Sequence, residues 1–385
     1  MENGQKRAIN KRILYRILFL AAPIIYLVIE LNLDNIKEGW RSLVLTVKRD
    51  GVAYHVDLSK KEASVVRLEE AYAWIPSNFR PSNGWGMVKE KKYALTDVHI
   101  PTYIRYFGVK MPVTCIGRHA FWACTDLQTI ELPDSLKYIE DDAFCMCKQL
   151  HDVAFPPSLQ FIGETAFAQC DSIRHVVIPG NCRISRKAYI GCKSLESVVI
   201  GREQEEVVED VRSDAVLNLT TNAPDDFFAK RFIGTGAFSE CPSLCSVRIY
   251  QIAALLQTTA HIVFELFDNT VFGSCPNLKD IYVSDSCYYI RVVDNVIFNK
   301  NMQNLQVCPA GLEGEYVVPE SVKEIKQYAF KGCRKLTDIY LSEATKAIGH
   351  DAFYGCDSTI VHYPAKMIVY YDSTTFIGCK EAKPY

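Results

Sequence analysis

The sequence has little bias of charge and few of the motifs that announce chemistry. Its 385 residues carry 43 Lys and Arg against 45 Asp and Glu, a formal net charge of −2. That balance offers no field for gathering a polyanion, so the chain does not read as nucleic-acid binding. No HExxH, GxSxG, P-loop or strand-linked GxGxxG occurs, and the eight histidines are scattered. No CxxC–CxxC arrangement or Cys/His cluster offers a zinc site, so neither metal nor cofactor is expected. The fifteen cysteines are odd in number, which rules out a complete set of intrachain disulfides. The apolar run Ile17–Ile29 falls short of bilayer length. As a helix it reaches about 20 Å, against about 30 Å of hydrocarbon.

What is present in quantity is repetition. From Ile116 the chain reads Ile-Gly-x-x-Ala-Phe-x-x-Cys-x-x-Leu-x-x-Ile-x-Leu-Pro-x-Ser-Leu, and the sentence restarts at Ile139, Ile162 and, degenerately, Ile184. A fixed period of about 23 residues predicts a stack of coils. Within one coil, Leu127, Ile130 and Leu132 make a short strand with Ile130 and Leu132 inside and Glu131 outside. Pro133, which has no amide hydrogen, ends that strand. One coil buries too few side chains to offset the ordering of its backbone, so the coils must fold on one another around a shared apolar interior. Phe121, Phe144 and Phe167 are expected to pile one above the next there. Nine cysteines recur at the position after Ala-Phe, from Cys124 and Cys147 to Cys356 and Cys379. They read as a column of small buried thiols.

This sentence, which runs with interruptions from Cys115 to Cys379, resembles the BspA-like subclass of leucine-rich repeats. The resemblance implies a repeat solenoid with one short strand per coil, a mostly irregular return path and a β-rich N-terminal cap, to which the apolar run Ile17–Ile29 adds an N-terminal apolar helix. It further implies a non-catalytic surface protein that binds a macromolecule, in adhesion or host-component binding.

Taken in order, residues 1–34 join a basic flank (Lys6 to Arg16) to the apolar run and read as an export signal or membrane-anchor helix, with residues 13–29 as the tether. A capping helix is the other reading. Residues 41–114 form the cap, with a hairpin about Arg49-Asp50-Gly51, a third strand at 63–68 and further strands at 98–101 and 103–109. Repeats occupy 115–200, an insertion with an acidic run occupies 201–232, and repeats resume over 233–380. A second excursion at 251–265 includes a short helix near 253–256. The stretch at about 287–320 resembles the hairpin-bearing variant coil that the same family places among ordinary ones.

Stacked in register, the outward strand residues form two columns. One holds Glu131, Ala154, Val177, Val199, Arg248, Tyr282 and Tyr340, and the other Thr129, Asp152, His175, Ser197, Ser246, Asp280 and Asp338. The candidate binding residues are therefore Tyr282, Tyr340, Glu131, Arg248, Asp152, His175, Asp280 and Asp338, with the tyrosines foremost. The bland alternative is a solvated sheet face. The expected partner is a protein or other macromolecule, and the expected location is secreted or cell-surface. A cytoplasmic or envelope scaffold is the second reading, and an enzyme seated in the insertion the third.

Overall fold

The computed structural model describes residues 46–58, 60–67, 95–202, 232–250, 269–285, 287, 290–365 and 375–385. Every regular element among them is a β-strand. The N-terminal apolar segment, Trp74, Trp85, nearly all of the insertion and the helix expected near 253–256 lie outside the described residues.

The leader strands β1 (Thr46–Arg49), β2 (Val52–Asp57) and β3 (Glu62–Val66) pair antiparallel in sequence. Asp50 and Gly51, with φ of 50° and 80°, make the first turn. Next come β4 (Asp97–His99), β5 (Tyr103–Tyr106) and β6 (Val109–Ile116). The single strand expected over 103–109 is instead one arm of a hairpin, because Phe107 and Gly108 take φ of 46° and 86° and reverse the chain. β3 lies parallel to β6, with Ser64 opposite Cys115, so the leader extends the sheet on the return side of the coils.

The regular coils carry a short parallel rung on the return side and, in most of them, a second on the opposite side. On the return side β6 leads to β8 (Tyr138–Ile139), β9 (Phe161–Ile162) and β11 (Arg183–Ile184), each opposite its equivalent one period earlier. On the other side β7 (Thr129–Glu131) pairs with β4. The strands β10 (His175–Ile178), β12 (Ser197–Ile200), β13 (Ser246–Ile249) and β14 (Asp280–Val283) form a four-stranded parallel sheet. The insertion after Ile200 does not break this sheet, since Ser197–Ile200 pairs directly with Ser246–Ile249.

The interior shows why the repeat residues recur. Phe121, Phe144, Phe167, Tyr189 and Phe238 stack with centroids 5.2, 5.0, 5.1 and 5.3 Å apart and planes within 13° of parallel. The cysteine column does more than fill space. Several of its thiols reach a carbonyl of the preceding coil: Cys147 to Phe121 at 3.1 Å, Cys170 to Phe144 at 3.2 Å, Cys192 to Phe167 at 3.1 Å and Cys356 to Phe330 at 2.9 Å. A small side chain with a weak donor is what the site accommodates. A Cβ on Gly163 would come within 2.5 Å of the Asp141 nitrogen, so the Ile-Gly step permits close backbone approach.

Beyond β14 the stack changes. β15 (Ile290–Val293) and β16 (Val296–Asn299) form the expected hairpin around Asp294 and Asn295, and β17 (Asn304–Val307) adds antiparallel. β18 (Gly314–Val317), β19 (Glu324–Ile325), β20 (Leu336–Tyr340), β21 (Ala347–Ile348), β22 (Cys356–Tyr363) and β23 (Cys379–Pro384) complete the described chain. β18, β20, β22 and β23 make a second parallel outer sheet. The apolar interior is consequently not one column. Ile297 packs with the first core cluster and Val296 and Phe298 with a second, and the regular Phe ladder restarts at Phe330–Phe353. Inserting a strand, β16, with both faces buried divides what simple repetition would have kept continuous.

Candidate functional site

The outward columns are real over four strands. His175, Ser197, Ser246 and Asp280 stand opposite one another, as do Val177, Val199, Arg248 and Tyr282. Alternation places Val176, Ile178, Val198 and Ile200 inside, which aims the intervening residues outward. His175 Nδ1 lies 2.9 Å from Ser197 Oγ, and Arg248 Nη2 donates to Asp280 Oδ2 at 3.1 Å. Both members of the Arg248–Asp280 pair are about half exposed, so its contribution to stability is about 0–1 kcal/mol. The Tyr282 ring is 42% exposed and rests 5.5 Å from the Tyr250 ring. The result is an aromatic pair beside a loosely held ion pair.

Three candidates sit elsewhere. Glu131, on β7, faces His99 across the β4–β7 pair at 2.6 Å and does not extend the four-stranded sheet. Asp338 and Tyr340, on β20, belong to the second outer sheet, where Val317, Tyr340 and His362 form a column of their own. Asn295 Oδ1 accepts the Ile281 N–H at 3.2 Å, so the hairpin tip occupies the edge on which another strand would have continued the column. Tyr282 and Tyr340 are thus on separate sheets, contrary to the single column expected. On the second sheet the Tyr340 and His362 rings stack at 4.5 Å and 9°, and His362 Nε2 lies 2.7 Å from Asp338 Oδ1. That contact and a hydrogen bond from Thr337 hold the Asp338 carboxyl below the usual carboxylate range.

Asp152 shows the largest departure. The expected strand around Val153 does not form. The Asp152 carboxylate accepts the Arg174 and His175 N–H groups at 2.7 and 2.9 Å, standing where a backbone carbonyl of a ladder would stand. Phe155 fills the inner position beside it and packs edge-on against Phe167 at 5.6 Å. Over this gap lies a cleft of about 370 Å³, bounded by Asp152, Ala154, Phe155, His175, Val177 and Arg202. Among the described residues no three His, Cys, Asp or Glu side chains gather as a metal site.

Tyr250, Phe155, Arg202 and His362 were not among the candidate binding residues. His362 was within reach of the sequence reading, since the repeat frame from Val317 to Tyr340 leads on to His362. Tyr250 lies one residue past the strand β13, where no alternation rule predicts its direction.

Comparison with known proteins settles the family. The profile of the BspA type leucine rich repeat region matches residues 94–218 and 314–384 in six copies, more than half of the chain. The chain belongs to the BspA type leucine-rich repeat family. No curated protein matches this BspA-type chain. Among solved structures, the pneumococcal vaccine antigen PcpA is 15% identical, with 88% of this chain and 77% of that one covered at a TM-score of 0.51. A leucine-rich cell surface protein from Faecalibacterium prausnitzii A2-165 is 18% identical, covering 87% and 80% at 0.49. A leucine-rich repeat protein from Bacteroides ovatus ATCC 8483 is 15% identical, covering 88% and 90% at 0.38. The likeness to PcpA is one of fold.

Proposed function

We propose that this BspA-type repeat protein is a non-catalytic solenoid that binds a macromolecular partner on its outer strand face. The organisation that goes with this reading is a leader over 41–114, repeats over 115–200 and 233–380, and an insertion between them. The observation that carries it is the four-strand register that sets Tyr282, Arg248, Asp280 and His175 on one exposed surface. Rigid strands fix the backbone beneath these side chains, which lowers the ordering cost at the moment of binding. Exposed tyrosine supplies contact area at low entropic expense. Tyr340 and Asp338 form a second, separate contact point on the adjoining outer sheet. Adhesion or host-component binding is the role we favour, in a secreted or cell-surface protein whose residues 1–34 serve as an export signal or as a membrane anchor through residues 13–29.

The test separates the two sheets. Tyr282→Ala and Tyr340→Ala, singly and together, are expected to weaken capture of a macromolecular ligand while leaving the melting temperature unchanged. Undiminished capture by the double variant would remove both residues from the site. Location is tested by protease treatment of intact cells. Cleavage only after lysis would favour the second reading, a scaffold that assembles partners inside the cell or envelope.

A further inference from the structure

The cleft beside Asp152 is more specific than the face around it. On the β10–β12 side the coils are tied by main-chain bonds such as Glu196 N to Arg174 O at 2.8 Å and Gly201 N to Ile178 O at 2.9 Å. Among the described residues no backbone hydrogen bond joins 152–157 to 175–179. β10 therefore has a strand neighbour on one side only, and main-chain groups of two coils border the cleft without satisfying one another. The floor is small and apolar at Ala154 and Val177, and Val177 is 49% exposed. One end carries a carboxylate held in place by two backbone amides.

We propose that this cleft binds an extended segment of a partner polypeptide, with a lysine or arginine at Asp152 and small apolar residues along Ala154 and Val177. The three features call for three properties in one ligand: a main chain to engage unladdered backbone, narrow apolar side chains for the floor, and a cation at the fixed carboxylate. An extended polypeptide has all of them. A small apolar solute would leave the charge and the backbone groups unanswered. This inference rests on the reading of the outer strand face as a binding surface and names the partner class for the cleft within it.

The probe is a fluorescein-labelled, end-blocked heptapeptide with the core Lys-Ala-Val-Ala, titrated into the full chain and read by anisotropy. Saturable binding is expected. Asp152→Asn, whose amide oxygen still accepts the Arg174 and His175 N–H groups, should weaken it about tenfold, as expected on loss of one charge-assisted contact. The same variant should make no difference to a peptide with Gln in place of Lys. Val177→Arg, which fills the cleft from an exposed position, should abolish binding, whereas Tyr282→Ala should leave it intact. Absence of saturable binding at millimolar peptide, or equal affinity in the Asp152→Asn and Val177→Arg variants, overturns the inference. If the peptide fails while Tyr282→Ala still impairs capture of a macromolecule, this inference falls and the broader reading stands.

Discussion

Replacing Tyr189 with Phe should make the protein more stable, although it removes a polar group and adds nothing. Tyr189 is the one tyrosine in the first ring ladder, wholly buried between Phe167 at 5.1 Å and Phe238 at 5.3 Å. Its hydroxyl is buried with no hydrogen-bond partner among the described residues. Burial, with the neighbouring thiols of Cys182, Cys192 and Cys170 adding to it, pushes the phenol pKa well above its ordinary value. A buried hydroxyl without a partner costs about 1–3 kcal/mol of desolvation. Deleting the oxygen leaves a void on the order of 10 Å³, worth about 0.2 kcal/mol at 24 cal/mol per Å³. The ring contacts remain. The expected gain is therefore about 1–2 kcal/mol, read as a higher denaturant midpoint with an unchanged m-value. Tyr189→Ala, which removes the ring as well, should lose about 3–5 kcal/mol. A Tyr189→Phe variant no more stable than the parent would refute the reasoning, since the hydroxyl must then be satisfied in solution.

The buried thiols predict alkaline sensitivity: burial raises Cys170 and Cys182 well above the ordinary thiol value. Both states hold these protons below about pH 8, and above it the unfolded chain releases protons that the native thiols keep, so stability falls as pH rises, by up to about 1.4 kcal/mol per unit for each thiol. Denaturant midpoints from pH 7 to 10 check this, and Cys170→Ser, which retains a donor for the Phe144 carbonyl, should flatten the slope by about one proton. Gly163→Ala should cost about 1–3 kcal/mol or more, because its Cβ meets backbone at 2.5 Å from the Asp141 nitrogen and no side chain can swing aside. A denaturant midpoint equal to the parent's would show that the coils separate more freely than their stacking implies.

Much of the fold was legible because its signals are local and periodic. Ile139, Ala143, Phe144, Cys147 and Leu150 recur a period apart, and each lands on its equivalent in the next coil with burial complete. The variant hairpin was readable too, through its resemblance to the family's hairpin-bearing coil, and Asp294 and Asn295 make its turn. The Phe107-Gly108 turn carries a similar signal, but it was hidden inside an apolar stretch that read as one strand. Of the candidate site, the register of His175, Ser197, Ser246 and Asp280 followed from counting. The cleft did not, because it arises from one aspartate taking the place of a carbonyl. Composition and spacing treat Asp152 like Asp280 and Asp338, although only Asp152 caps two amides of its neighbour.

The sequence by itself determined that consecutive coils stack, which residues face inward and where the ring and thiol columns run, because a fixed period forces chemically equivalent side chains into the same position on every coil. Only the tertiary structure decided what the departures from the repeat do to the stack. The hairpin at 290–299 separates the two outer sheets and divides the core, and the Asp152 carboxylate opens the gap beside β10. Such interruptions depend on which of two competing partners a backbone amide takes. That choice is made between neighbouring coils in space, where the linear pattern carries no record of it.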